Sequence, residues 1–184
     1  MKKGSIGKVV LTILVIGLLG LMILPSILVK LVDPEKAFAP PVLEKIEEPI
    51  ALDFQIIDLK TDKISSIQID SSMLEVSLIL YFWAENCHPC AAELELLKKL
   101  KDQMGTDIVI YPISIDKAQE RGKRFADLLT EDIPLYYWLE GDLPLNISRS
   151  KVPQAIVIGL DGSQYHQVGP ANWIAPDFVK WLEQ

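Results

Sequence analysis

The chain holds two cysteines, and they stand three apart in Cys87-His88-Pro89-Cys90. Ahead of them runs Val76-Ser77-Leu78-Ile79-Leu80-Tyr81-Phe82-Trp83, a nearly unbroken apolar stretch of the kind that forms a strand covered on both faces. Behind them, after the start Ala91-Ala92-Glu93-Leu94, Leu94, Leu97, Leu100 and Met104 recur at helical spacing. Glu93 and Glu95 come early in that stretch and Lys98, Lys99 and Lys101 late, as the helix dipole favours, and Gly105 offers a stop. Strand, turn, dithiol and helix start therefore follow in succession. Such a place can stabilise a thiolate and keep it reachable, which points to redox chemistry.

The rest of the chain supplies elements to build around that unit. Residues 51–58 and 63–69 alternate on either side of Thr61-Asp62 and predict a hairpin. Ile108 to Ile115 reads as a second buried strand, with Pro112 predicting a bulge or an edge there. A helix is expected over Lys117–Thr130, weakened by Gly122, and a short extended stretch over Leu135–Leu139, followed by a loop to Ser150. Ala155–Leu160 and Ser163–Val168 flank Asp161-Gly162, a strong turn signal, and a last helix starts near Pro176 with Phe178, Trp181 and Leu182 inward. Strand-helix-strand units followed by a hairpin and a helix predict an α/β fold with a mixed sheet, over residues 50–184.

With 184 residues and 49% hydrophobic content, one substantial core is within reach. Lys2, Lys3 and Lys8 precede an uncharged run from Val9 to Val29. As a helix its residues would rise about 31 Å, close to the roughly 30 Å hydrocarbon core of a bilayer. Residues 9–29 are thus expected to be a transmembrane signal-anchor, with residues 1–8 cytoplasmic under the positive-inside rule and the rest outside the inner (cytoplasmic) membrane, facing the periplasm or exterior. The rival expectation is a signal peptide cleaved after Ala37-Phe38-Ala39. Residues 30–49, with Pro34, Pro40, Pro41 and Pro49, read as a linker. The net charge of −7 comprises +3 over residues 1–39 and −10 over the remainder, which argues against nucleic-acid binding.

Phe82-Trp83-Ala84-Glu85-Asn86-Cys87-His88-Pro89-Cys90 resembles the active-site segment of thioredoxins. Together with Asp53-Phe54, Glu93, Lys151-Val152-Pro153 and the Asp161-Gly162 hairpin, the chain is similar to the membrane-anchored TlpA/ResA/CcmG branch of the thioredoxin superfamily. The resemblance implies a thioredoxin-like fold and a protein thiol-disulfide oxidoreductase acting as a reductase, of the cytochrome c maturation type or related. Its partners would be exported proteins bearing disulfides or dithiols, apocytochromes c among them, and a membrane electron donor or acceptor, with the chain itself a monomer and no cofactor or metal. It further implies a cis Val152–Pro153 bond facing the disulfide, with its backbone receiving the substrate peptide, and Glu93 relaying a proton to or from Cys90. Without the resemblance, Pro153 reads as an ordinary trans proline and Glu93 as a first-turn carboxylate. Two positions depart from the family: Asn86 replaces the usual tryptophan, and Tyr81 stands where thioredoxins carry a buried aspartate.

On the residues themselves, Cys87 is the expected nucleophile at the helix N-terminus and Cys90, one turn further in, the resolving thiol. His88 adds positive charge when protonated, and Pro89 suits the first helical turn. Trp83 is expected beside the site and in contact with substrate, whereas Tyr136, Tyr137, Trp138 and Trp173 read mainly as core. The rival chemistry is copper delivery, with Cys87, Cys90 and His166 as ligands to Cu(I). The same two cysteines are also compatible with an inert structural disulfide, and the whole domain with a redox-dead interaction module. A peroxidase would carry threonine where Ala84 stands.

Overall fold

A computed structural model describes residues 33–50, 52–69, 74–129, 133–140, 143–144 and 147–184. Along them run α1 (Pro34–Ala37), β1 (Glu44–Lys45), β2 (Leu52–Asp58), β3 (Ile64–Ile69), β4 (Ser77–Trp83), α2 (Cys90–Met104), a 3₁₀ turn (Gly105–Asp107) and β5 (Ile108–Ser114). Then come α3 (Gln119–Ala126), β6 (Tyr136–Glu140), β7 (Gln154–Ile158), β8 (Gln164–Val168) and α4 (Pro176–Leu182). The strands form one mixed sheet in the order β1-β8-β7-β4-β5-β6-β2-β3. The expected transmembrane segment 9–29 and residues 1–8 lie outside the described residues. Among those described, no helix is long and apolar enough to cross a membrane.

All seven residues of β4 are buried, because the strand is paired on both edges and covered on both faces. It runs parallel to β5 from Ser77↔Ile108 to Trp83↔Ser114 and antiparallel to β7 from Leu78↔Ile158 to Phe82↔Gln154. Alternation then divides its side chains. Ile79, Tyr81 and Trp83 join Leu94, Leu97 and Leu100 of α2 and Phe178 and Leu182 of α4 on one face. Leu78, Leu80 and Phe82 join Phe54, Ile113, Trp138 and Ile156 on the other, in a cluster to which no described helix contributes. The two hairpins form where expected: β2 pairs with β3 around Asp62, at φ 57°, and β7 with β8 around Gly162, at φ 77°.

Two expectations need correction and a third is narrowed. Pro112 makes no bulge, since its register opposite Tyr81 is unbroken, but it does stand at a local edge, where β5 has no ladder partner on its β6 side. Ile115 donates to the Trp83 carbonyl, so the N–H groups of alternate residues 113 and 115 face β4 and the missing donor of Pro112 faces β6. Pairing with β6 begins only at Ile113, one residue later, so the missing donor falls ahead of that ladder. The helix expected over 117–130 is confined to Gln119–Ala126, and Leu128 lies exposed past its end.

The expected linker, over its described residues, is part of the domain. Asp33 caps α1 by accepting from the Glu35 N–H, and Pro34 opens the helix. Beyond it the chain is strapped across the sheet edge. Val42 N–H donates to Gln167 Oε1 at 2.7 Å, β1 pairs with β8, Ile46 is buried, and Gln164 exchanges bonds with the N–H and C=O of Ile50 at 2.8 and 2.9 Å. Proline content signalled extended backbone correctly but not what that backbone would lie against.

Gly122, read as a flaw in its helix, lets α3 approach β5. A Cβ there would sit 2.9 Å from Ser114 Oγ and 3.1 Å from Ser114 Cβ. Alanine would gain about 1 kcal/mol of helix propensity but force an overpacked contact costing about 1–3 kcal/mol. The Gly122→Ala protein is therefore expected to unfold at a lower denaturant midpoint than the parent. A higher midpoint would show that propensity outweighs the contact.

Candidate active site

The motif occupies the end of β4, where the parallel strands β4 and β5 both terminate, a common place for a site in an α/β sheet. Directly past Trp83 the backbone turns, Cys87 N–H bonding the Ala84 carbonyl at 3.0 Å. Cys87 and Cys90 form a disulfide with Cα atoms 5.4 Å apart. Helix α2 begins at Cys90 rather than at Cys87, with Pro89 as the residue before it in helical geometry and no side chain capping the start. The positive end of the helix, left uncapped, is thus directed at the turn that carries Cys87. Cys90 is fully buried and Cys87 only 5% exposed, a more recessed sulfur than expected, while His88 and Asn86 are exposed around it.

The turn is braced from the neighbouring helix. Glu85 N–H bonds Asp116 Oδ2 at 2.9 Å, and Asp116 is held by the Ser114 hydroxyl. The Glu85 carboxylate pairs with Arg121 at 2.7 Å and Arg124 at 2.9 Å, and these two guanidinium groups, Arg124 foremost, lower its pKa. None of these residues was singled out from the sequence. Arg121 and Arg124 at i, i+3 on one short helix were a signal, but nothing local pointed to Glu85.

Glu93 lies one helical turn beyond Cys90 and is completely buried. Its Oε1 accepts from the Trp173 indole N–H at 2.8 Å and the Ala171 N–H at 3.0 Å, and its Oε2 accepts from the Tyr81 hydroxyl at 3.0 Å. Burial pushes its pKa from 4.5 to about 7 against the pull of the bonds from Ala171, Trp173 and Tyr81. Burial, and then the charge of Glu93, raises the Tyr81 phenol well above its ordinary value, so Tyr81 stays a donor. The tyrosine seen in the sequence as a departure is thus a partner of the buried acid. Trp173, read as core, is both: its ring meets Tyr81 edge-on at 6.2 Å and its N–H serves the carboxylate. The separation of 80 residues in sequence hid that contact.

The Val152–Pro153 bond is cis, and Pro153 immediately precedes the Gln154↔Phe82 pair, level with Trp83 at the site end of the sheet. Trp83 itself is wholly buried, its ring 4.8 Å from that of Phe125 and its Nε1 without a hydrogen-bond partner, so the expectation that it touches substrate is corrected: it is core beneath the site. His166 is paired with Ile156, which in turn is paired with Leu80, and so shares their face of the sheet. Cys87 and Cys90 belong to the opposite face, so a copper site joining all three would have to pass through the sheet.

Because burial raises Glu93, the native state holds its proton more tightly than the unfolded chain does. The stabilisation this proton gives is complete below about 4.5 and is lost as pH rises through about 7, on the order of 3 kcal/mol. The stability difference between parent and Glu93→Gln, from denaturant titrations across that window, should fall with rising pH. A flat difference would mean that Glu93 does not titrate there.

A family model described as thioredoxin-like matches residues 76–164, from the start of the β4 segment into β8. Among the curated proteins compared by sequence, none matches the chain. Among solved structures, a protein assigned as thiol:disulfide interchange protein DsbE from Chlorobium tepidum superposes with TM-score 0.55 at 19% identity, over 78% of this chain and 95% of that one. DsbF of MTB gives 0.55 at 14% identity, over 70% and 94%. A thioredoxin-family thiol:disulfide interchange protein from Chlorobium tepidum TLS gives 0.53 at 16%, over 75% and 97%. Likeness at such identities is a likeness of fold, and it is the matched segment with its C-x-x-C disulfide that adds the chemistry. Residues 76–164 are thus thioredoxin-like, and within them lies the C-x-x-C redox pair of a thiol-disulfide oxidoreductase.

Proposed function

We propose that this chain is an exported, membrane-tethered reductase of protein disulfides, of the TlpA/CcmG kind. The observation that carries the reading is the pairing of a Cys87–Cys90 couple with a buried carboxyl of pKa about 7 one helical turn away. In the dithiol form, the Cys87 thiolate, favoured by the uncapped helix start, attacks one sulfur of a substrate disulfide. The departing sulfur leaves as a thiolate and takes up a proton. The Cys90 thiol gives its proton to ionised Glu93 and attacks Cys87 Sγ, which releases the second substrate sulfur as a thiolate and leaves the Cys87–Cys90 disulfide; that thiolate takes up a proton, and Glu93 gives up the one it accepted. Two electrons and two protons pass from the chain to the substrate in each cycle, so continued turnover needs a dithiol donor on the same side of the membrane.

The tether and the location rest on the Val9–Val29 run with Lys2, Lys3 and Lys8 before it. Exported proteins with disulfides, apocytochromes c among them, fit as substrates through the resemblance to the membrane-anchored branch. The domain's negative charge fits a module that stands off an anionic lipid surface.

Cys90→Ser should trap mixed disulfides with substrate proteins in the exported compartment, resolvable on non-reducing gels. Adding Cys87→Ser should abolish the trapped species. Capture that persists without Cys87 would overturn the assignment of the nucleophile, and the absence of any capture by Cys90→Ser would overturn the oxidoreductase reading.

A further inference from the structure

The segment from Gln167 to Trp173 touches three parts of the molecule at once. Gly169 N–H bonds the Pro153 carbonyl at 2.9 Å. Ala171 N–H and the Trp173 indole both end on Glu93 Oε1. Between these two donors stands Asn172, which faces the other way, onto the N-terminal strap: its N–H bonds the Ala39 carbonyl at 2.7 Å and its Nδ2 the Glu35 carbonyl at 2.9 Å. Its Oδ1 in turn accepts from the Ile174 N–H at 3.2 Å. A few residues earlier, Gln167 accepts the Val42 N–H and donates to the carbonyls of Val168 and Gly169. Glu35 also reaches Lys99 of α2 at 2.9 Å, though a surface pair of this kind contributes little on its own.

We infer that the strap of residues 33–42 is a positioning element of the redox site, acting through Asn172 to hold the two N–H donors that engage Glu93. A single residue has its neighbours on both sides aimed at one carboxylate oxygen, and its own polar groups tied to a segment more than a hundred residues distant in sequence. Hydrogen bonds to a buried anion are worth most when their donors need not reorganise, because the low-dielectric surroundings offer no substitute. Freeing Asn172 from the strap leaves Ala171 and Trp173 on a loosely held turn. The anion loses stabilisation and the acid constant of Glu93 falls. The groups facing Glu93 that titrate or carry charge are Tyr81 from β4 and, once reduced, the cysteine pair at the start of its own helix; Ala171 and Trp173 from the turn carry no charge. Tyr81 is untouched by the strap, which makes its bond to Oε2 an internal control.

The test is Asn172→Ala in the full chain. Glu93 ionisation is followed in the oxidised protein by the NMR shift of its labelled carboxyl carbon, and the pH profile of thiol-disulfide exchange is measured separately. The midpoint is expected to rise by about half a unit to one unit, a roughly threefold to tenfold change in acid constant of the size that follows when hydrogen bonds to a charged group weaken. Val42→Pro, which deletes the donor to Gln167 on the strap side, should move the midpoint in the same direction. A Glu93 midpoint unchanged in both variants, even with a lowered melting temperature, overturns the inference and leaves Asn172 a purely structural residue. This inference rests on the redox reading only for its kinetic consequence: an inactive cysteine pair with a shifted Glu93 would count against the oxidoreductase and for the strap.

Discussion

A carboxyl group buried without a cation is the constraint around which this molecule is arranged. Glu93 has no exposed surface, and the groups that answer it are a phenol, an indole and a backbone amide. None of them carries charge, so they moderate the cost of ionisation without removing it, and the group is left with a pKa of about 7. A lysine or arginine in the same place would have kept the carboxyl permanently ionised. The donors also come from two distant parts of the chain, the central strand and the turn after β8. The acid therefore fixes where β4, α2 and that turn stand relative to one another, as well as the proton it exchanges.

The disulfide draws on the same arrangement. Cys90 and Glu93 lie on one face of α2, and that face points into the cluster that also receives Tyr81 and Trp83 from β4. The strand and helix that present the sulfurs are held rigid by burial of both. The turn between them, which burial does not hold, is held by charge through Glu85, Asp116, Arg121 and Arg124. Site precision comes from two sources here, apolar packing beneath the cysteines and an ion-pair network beside them.

Local pattern made much of this visible in the sequence. The unbroken run of β4, the helical spacing of Leu94, Leu97 and Leu100, and Asp161-Gly162 each depend on a few adjacent residues, and each formed where the pattern placed it. Resemblance supplied what adjacency could not, namely the cis bond before Pro153 and attention to Glu93. What stayed hidden involves contacts between separate elements: Tyr81 and the distant Trp173 on Glu93, Gly122 of α3 against Ser114 of β5, and the strap on Asn172. The prolines of residues 34–49 misled for a related reason. Proline states what a backbone cannot donate but not which neighbour it lies beside, and that neighbour decides whether the missing donor matters.

The two-residue strand β1 and the glutamines beside it bear on behaviour in concentrated solution. A sheet ending at β8 would present a row of unsatisfied backbone groups along an outer edge, a template for pairing with another molecule. Two ladder pairs cover part of that edge, and the amides of Gln164 and Gln167 take over the bonding of Ile50 and Val42 where the strand itself does not extend. At the other end of the sheet β3 alternates exposed and half-buried residues, with Ser65, Ser66 and Gln68 among its six. One border of the sheet is thus partly covered by covalently attached chain, and the other is made less attractive by its own polar residues. Covering that edge and holding Asn172 thus fall to the same eighteen-residue stretch, 33–50, that the sequence presents as mere spacing.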